Sequence, residues 1–425
     1  MNAAHGTRTR ASATATATAT GVLVALLAWA GAAAGAERDD AKRIHDRLAG
    51  VPPSEAVLDE MEQDLLAGDA EAAAERAMAH PDFYRVTLKN WAKPWTNRGQ
   101  SVFVPLDDYV ATVIGMVRDG VPFNRLLSAN ILYRGADDLG APPPATDDNA
   151  HYEALEEQGA DLSDPDVLVR DTQSAVYGLD SAATAGIMTT RSAARAFFID
   201  GTNRAMFRFT LMNHLCTDLE PLQDNTRPAD RIRQDVSRSP GGDSRIFLNR
   251  CAGCHAGMDP MAQAFAYYDF EYPEGSKDAG RLVWNAPGTT DPETQAEHGV
   301  ASRVQAKYLI NSATFEPGYV TPDDQWENYW REGPNKGLGW DFGPNSPGGA
   351  GDGAKSLGRE LANSRAFASC QVRKVFRTVC LREPSSAADR SWIENETVAL
   401  RDVHGYALKP VFADAAAYCL VECRP

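Results

Sequence analysis

The sequence has little of several features that define other classes of protein. Its 42 lysines and arginines are outnumbered by 58 aspartates and glutamates, which leaves a formal net charge of −16. No compact basic stripe is present, and binding to phosphates needs clustered lysine and arginine, so we expect no nucleic-acid partner. No G-x-S-x-G, H-E-x-x-H or P-loop motif is found, which argues against a hydrolase or a nucleotide enzyme.

Long apolar runs are also missing. The run from Gly21 to Ala34 is shorter than the roughly 20 residues that a membrane-spanning helix needs. Two arginines precede it, and Ala34-Gly35-Ala36 follows it as an A-x-A cleavage site. This layout predicts that residues 1–36 form a secretory signal peptide. We therefore expect an exported protein, periplasmic or on the cell surface of a bacterium, with no membrane span after cleavage and with disulfides permitted.

What the chain does have is helical periodicity, whereas strand-like alternation is scarce. In the clearest run, Ser54 can cap the first turn and Gly68 can end the last. The pattern predicts a mainly α fold of many helices joined by long loops. The helical runs cover Ser54–Gly68, Tyr109–Arg118, Phe123–Leu132, Gly186–Cys216 with a break near Asp200-Gly201, Ala354–Leu381 and Leu408–Cys423.

One motif carries specific chemistry. Cys251-Ala252-Gly253-Cys254-His255 is a C-x-x-C-H sequence, the attachment signature of c-type haem. The spacing follows from the reaction, because two thiols add to vinyl groups on one porphyrin edge and the next imidazole binds the iron. We therefore predict one covalent haem c, with Cys251 and Cys254 as thioethers and His255 as the proximal iron ligand. A thioredoxin-like dithiol, a zinc site and a structural disulfide are the alternatives for the cysteine pair.

The motif and the changes in composition divide the chain. Residues 37–135 form an N-terminal helical region, and 136–185 an acidic surface loop that has ten acidic and no basic residues between Asp137 and Asp166. Residues 186–332 hold the haem motif and are expected to be c-type cytochrome-like. Residues 333–353 form a linker rich in glycine and proline, and 354–425 a C-terminal helical region.

Beyond the motif, the sequence resembles a known family. The residues that carry the likeness are Gly186-Ile187-Met188-Thr189-Thr190, the haem motif, Met258-Asp259-Pro260, Phe265 and Tyr268-Asp269. They resemble the haem-c-bearing domain of unknown function in planctomycete-type secreted cytochrome proteins. Residues 356–382 resemble the companion C-terminal domain, and 107–132 show a weaker likeness. The resemblance implies haem attachment and export, and it implies no substrate.

The chain departs from that family in two respects. It is shorter than the large planctomycete members and has no second C-x-x-C-H. The dihaem bacterial peroxidases need two such motifs, so a peroxidase of that type is disfavoured.

From the residues after the motif we expect two local features. Asp259-Pro260 should end the turn that carries His255, because proline fits the first turn of a following helix, and the aromatic residues from Phe265 to Tyr272 should form core packing against the porphyrin.

The remaining cysteines point to a crosslink in the C-terminal region. Cys370 and Cys380 lie ten residues apart on one predicted helix, about 15 Å along its axis, and so cannot bond to each other. We predict that Cys380 pairs with Cys419 or Cys423. Because Cys216 makes the set odd, at least one thiol stays free or pairs between chains.

The sixth iron ligand is less well defined by the sequence. Small cytochromes c commonly use a downstream methionine, but no methionine follows Met261. We predict His298 as the sixth ligand, because it lies just before a predicted helical run over Val300–Asn311. It can equally be a surface histidine. The alternatives are His404 downstream, the upstream residues Met188, Met206, Met212 and His214, and an open site.

These observations favour an exported monohaem protein that transfers electrons through covalent haem. The alternatives are an exported binding or sensory module whose haem is structural, and a peroxidase-like haem enzyme with an open sixth site. An electron-transfer protein is favoured over an enzyme, and no catalytic residue is assigned. The sequence identifies neither a redox partner nor an oligomeric state.

Overall fold

The computed structural model describes residues 36–309 and 314–422. The predicted signal peptide therefore lies almost entirely outside the described residues. Cys423 lies outside them as well. The described chain is mainly helical with a few short strands, as the periodicity predicts. No helix in these ranges is both long enough and apolar enough to cross a bilayer.

The N-terminal part is a set of helices. They are α1 (36–49), α2 (Glu55–Leu66), α3 (Ala70–Met78), α4 (Lys89–Ala92) and α5 (Asp108–Arg118). The Ser54 side chain caps α2 by accepting the amide of Val57, as predicted. The side chains of α5 are buried on all sides from Asp108 to Val117, so it is a core helix and not a surface amphipathic one.

Two predictions for the next segment are wrong. Residues 123–132 are not a helix, because only Phe123–Arg125 form a 3₁₀ turn and Leu132 begins a strand. Residues 136–185 are not one loop, since they contain α6 (Ala150–Glu157), β2 (Leu168–Asp171) and α7 (Gln173–Tyr177). The strand β1 (Leu132–Gly135) pairs antiparallel with β2, and this long-range pairing overrides the local signals.

The middle of the chain carries the C-x-x-C-H motif, residues 251–255. A 3₁₀ turn at Gly186–Thr189 leads into α8 (Arg191–Phe197) and α9 (Arg204–Thr210), with the predicted break between them. The remaining elements are α10 (Ser244–Ile246), α11 (Ala252–Ala262), β3 (Tyr268–Glu271), β4 (Arg281–Trp284) and α12 (Pro292–His298). β3 and β4 pair antiparallel.

The C-terminal part begins with a small antiparallel pair, β5 (Gln325–Glu327) and β6 (Ala350–Asp352). Between them, the predicted linker contains a 3₁₀ turn at Pro334–Leu338 and packs Trp340 and Phe342 against the core, so it is not a free tether. The helices α13 (Gly353–Ala362), α14 (Arg365–Cys380), α15 (Ala387–Asp402) and α16 (Leu408–Glu422) follow.

One apolar cluster joins all these parts. It includes Ile44 of α1, Val113 of α5, Phe265 after α11 and Val411 of α16. Two disulfides lie beside it. Cys380 bonds to Cys419, one of the two predicted partners, and Cys216 bonds to Cys370. The second bond fastens the chain after α9 to α14.

Candidate functional site

The two motif cysteines lie where helix α11 begins. Phe247–Cys251 is a π-helical turn, Cys251 is the N-cap position of α11, and Cys254 lies in its first turn. Both side chains are half-buried and neither forms a disulfide, whereas the other four described cysteines do. The C-x-x-C pair is thus not a structural disulfide in this structure.

The environment of Cys254 keeps it a thiol. Its Sγ donates to the carbonyl oxygen of Leu219 at 3.5 Å. Burial raises the pKa of the Cys254 thiol, and the charges of Cys251, Asp218 and Glu220 act in the same direction. Cys254 is therefore not activated as a thiolate in the way that the attacking cysteine of a thiol–disulfide oxidoreductase is.

His255 is oriented by a carboxylate one turn further along the helix. Its Nδ1 lies 3.1 Å from Oδ1 of Asp259, which is buried. Because a carboxylate only accepts, the proton of the imidazole is on Nδ1. Nε2 is consequently the nitrogen left to bind a metal, and the ring is held in one orientation.

Asp259 belongs to a buried network that the sequence analysis missed. Arg204 Nε donates to Asp259 Oδ1 at 2.8 Å, and Arg204 Nη1 donates to Asp235 Oδ2 at 2.6 Å. The backbone N–H of Arg233 donates to Asp259 Oδ2 at 3.2 Å. Burial alone would raise the pKa of Asp259, but the charges of Arg204 and His255 hold it well below its usual range.

The network also corrects the interpretation of Asp259-Pro260. Proline was expected to start a new helix, but α11 continues through Pro260 to Ala262. The Asp259 carboxylate contacts His255 on the preceding turn and Arg204 on α9, and these contacts hold the segment helical. Arg204 lies 55 residues before Asp259 in the sequence, so no local pattern indicated their contact.

Two exposed apolar side chains precede the thiols in the sequence, among the exposed polar residues Arg245, Asn249 and Arg250. Ile246 and Leu248 are 40% and 61% exposed, on either side of the buried Phe247. Phe247 packs with Ile232, Val236 and Ala256, and Cys251 lies against this cluster. On another side of α11, a Cβ at Gly257 would lie 1.9 Å from Nε1 of the buried Trp330, so only glycine lets the helix pack so closely.

Four of the five aromatic residues from Phe265 to Tyr272 are buried, as expected, whereas Tyr272 is 37% exposed. The partners of Phe265 and Tyr268 are protein side chains. Phe265 and Tyr268 pack against Phe198, with ring centroids 5.5 Å apart in each pair. The Tyr268 hydroxyl donates to the carbonyl of Ala183 at 2.7 Å. In the described structure these two rings are thus already covered by protein.

His298 lies in a different setting from the one expected. It is the last residue of α12, and the helix ends there because Gly299 adopts a left-handed conformation with φ of 67°. The predicted helical run after it contains only a 3₁₀ turn at Ala306–Tyr308 among the described residues. No contact between His298 and the haem motif is present in the described chain. Its Nε2 is buried without a hydrogen bond.

The upstream candidates for the sixth ligand are packed in the core. His214 is buried, its Nε2 is 2.7 Å from the Tyr109 hydroxyl, and Trp95 contacts its ring. Burial lowers the pKa of His214 well below its usual value, so the ring is neutral. Met188 and Met206 are also buried, and Met212 is partly buried against the same core. His404 lies in the turn between α15 and α16, beside Glu396 and Asp414.

A cleft of about 570 Å³ lies elsewhere on the described surface. Its lining includes Asp107, Arg191 and Arg195 but no histidine or cysteine. It therefore contributes no group to the chemistry of the motif.

No family model, curated protein or solved structure matches the chain. The resemblance to secreted cytochrome proteins thus stands on the residues named above.

Proposed function

We propose that the protein is an exported monohaem c-type cytochrome-like protein that transfers electrons through one covalently attached haem c. The observation that carries this proposal is the arrangement of Cys251, Cys254 and His255 at the start of α11. Both thiols are unbridged in a chain whose other described cysteines are paired. The His255 Nδ1 is used by Asp259, and Nε2 remains for iron.

The donor set fits the group. Two half-exposed thiols three positions apart in one helical turn can bind one porphyrin edge, and the adjacent imidazole can bind the iron. Ile246 and Leu248 offer apolar surface that a porphyrin could cover. When bound, a haem supplies one-electron redox chemistry. In this chain Cys251 and Cys254 would hold it, His255 would ligate it, and Asp259 would keep the proton on Nδ1.

Two structural disulfides support the proposed export. Disulfides persist in oxidising compartments and are rare in a reducing cytosol. We place the protein in the periplasm or on the cell surface of a bacterium, which is also where haem c proteins receive their cofactor. Its redox partner is unidentified.

The test is covalent haem content. Protein produced in a host able to mature haem c should keep its haem through acid–acetone extraction and show a pyridine haemochrome of c type. Cys251→Ser and Cys254→Ser should each reduce covalent haem and the yield of folded protein. His255→Gln should change the visible spectrum, whereas His80→Gln, which alters a partly exposed histidine on another element, should not. Complete extraction of haem from the unmutated protein would refute the proposal.

A haem enzyme or sensor with an open sixth position is the second candidate. The observation that favours it is that the upstream methionines and His214 lie in the packed core, and that His298 has no contact with the motif in the described chain. If His298 nevertheless binds the iron, the protein should be low-spin and His298→Ala should become high-spin with its haem still attached. A high-spin spectrum in the unmutated protein would instead favour small-molecule chemistry.

A further inference from the structure

The turn between α15 and α16 brings together three metal-binding side chains that the proposed function does not use. Glu396 comes from α15, His404 from the turn and Asp414 from α16. His404 Nε2 lies 3.3 Å from Glu396 Oε1 and 3.2 Å from Asp414 Oδ2. Gly405 and Tyr406, with φ of 55° and 68°, reverse the chain directly after His404.

The group has buried polar atoms without hydrogen bonds. The side chain of Glu396 is only 8% exposed, yet its Oε1 has no hydrogen-bond partner, and neither does the buried Nε2 of His404. These two atoms face each other across the cluster. Buried carboxyl groups in proteins are normally paired with a cation, bound to a metal or protonated, so this arrangement needs either a positive charge or a retained proton.

No basic side chain supplies that charge. Among the described residues, neither Glu396 nor Asp414 forms an ion pair with a lysine or an arginine. A further acidic residue, Glu71 in the first turn of α3, is close enough for its charge to act on Glu396. The cluster thus combines up to three carboxylates with one imidazole.

We propose that Glu396, His404 and Asp414 form a binding site for one divalent transition-metal ion, with Zn²⁺ the best fit. Three ligands at about 2.1 Å from a tetrahedral ion lie about 3.4 Å from one another, close to the two distances observed. A mixed set of one imidazole and two carboxylates suits Zn²⁺ or Mn²⁺, whereas Ca²⁺ and Mg²⁺ prefer oxygen ligands alone.

The bound ion would stabilise the fold and would take no part in the chemistry of the haem. Its ligands join α15, the turn and α16, and Glu71 extends the cluster to α3. The bound ion would therefore fasten the two helices of the C-terminal hairpin and their turn to one another. The ion-free alternative is an ion pair of His404 with Asp414 beside a Glu396 that keeps its proton, and the experiment must separate the two.

The test is Zn²⁺ binding by isothermal titration calorimetry to the haem-loaded protein, after treatment with a chelator, which does not remove covalently held haem. We expect one equivalent of Zn²⁺ to bind and to raise the melting temperature. His404→Gln and Asp414→Asn should each weaken that binding by about 100-fold or more. His80→Gln, which alters a histidine near Asp82 on the surface, should bind as the unmutated protein does.

Two results would overturn the proposal. One is that the unmutated protein binds neither Zn²⁺ nor Mn²⁺ at micromolar concentrations, which would leave the ion pair as the whole explanation. The other is that both variants bind Zn²⁺ as the unmutated protein does. If His404→Gln does not fold, the Asp414→Asn titration decides alone, because the hairpin retains its histidine.

Discussion

At the scale of single residues, Asp259 is the side chain that most affects the proposed site without touching a porphyrin itself. It accepts a hydrogen bond from Nδ1 of His255, and it accepts further hydrogen bonds from Arg204 and from the backbone N–H of Arg233. A carboxylate in this position makes the imidazole a stronger donor to iron. Stronger donation favours the oxidised state of the metal.

We therefore predict that Asp259→Asn raises the reduction potential. A tenfold loss of preference for oxidised iron corresponds to about 60 mV in a one-electron couple, and we expect a shift of that order. Spectroelectrochemical titration measures it. Asp235→Asn is the matched control, because it removes a charge from the same network without contacting His255. Equal shifts in the two variants would mean that net charge, and not the hydrogen bond, sets the potential.

A second residue-scale prediction concerns Glu396. Burial, the charge and hydrogen bond of Asp414 and the charge of Glu71 together raise the pKa of Glu396 to about 8. The folded protein then holds a proton that the unfolded chain releases near pH 4.5. In the window between these two values the folded state binds more protons, so its stability falls as the pH rises.

The comparison is with Glu396→Gln, in metal-free protein. Below about pH 4.5 both forms carry a neutral side chain, and the free energies of unfolding should be similar. From there to pH 8 the unmutated protein should lose stability relative to the variant. Urea unfolding at several pH values gives the difference. Parallel stability curves for the two proteins would contradict the raised pKa.

At the scale of elements, the helices at the C-terminus are held together by a disulfide as well as by packing. The Cys380–Cys419 disulfide joins α14 to α16, and Phe376, Trp392 and Tyr418 pack around it. The bridge closes a loop with a sequence separation of 39 residues. Closing such a loop restricts the unfolded chain and so favours the folded state.

We expect the double variant Cys380→Ala/Cys419→Ala to lose about 2–4 kcal/mol of stability, seen as a fall of several degrees in melting temperature. Peptide mapping of unreduced protein should recover the linked fragment. As a control for reactivity, alkylation of haem-free native protein should modify Cys251 and Cys254 and spare Cys380. Alkylation of Cys380 under those conditions would show that the bond is absent.

At the scale of the whole molecule, the regions suggested by the composition share one core. Residues from α1, α5, the segment after α11 and α16 all belong to a single apolar cluster. The Cys216–Cys370 bond crosses between the haem-motif region and the C-terminal helices. The segment 333–353, although rich in glycine, packs Trp340 and Phe342 on that core.

A shared core predicts cooperative unfolding. Helix loss followed by circular dichroism at 222 nm and the change in tryptophan fluorescence should coincide in one transition. A protein cut within 333–353 should not yield a folded C-terminal fragment. Two separate transitions, or a folded fragment of residues 354–425 alone, would show that the C-terminal helices are an independent domain.

Several features could be predicted from the sequence because their causes are local. The C-x-x-C-H spacing lies within the first turn of α11 and is readable from five consecutive residues. The Ser54 cap and the break between α8 and α9 depend on neighbouring residues, so they too are local signals. The bond from Cys380 to the tail spans 39 residues, and helix geometry indicated it only by excluding Cys370 as the partner.

Tertiary structure decided the rest. The partners of Asp259, the pairing of Cys216 with Cys370, the strand that begins at Leu132 and the meeting of Glu396 with His404 and Asp414 all join distant elements. Which elements meet depends on how the whole chain buries its apolar surface, and no local sequence pattern determines that arrangement. The sequence by itself therefore determined the attachment motif and most helices, and only the packed chain decided which charges orient His255.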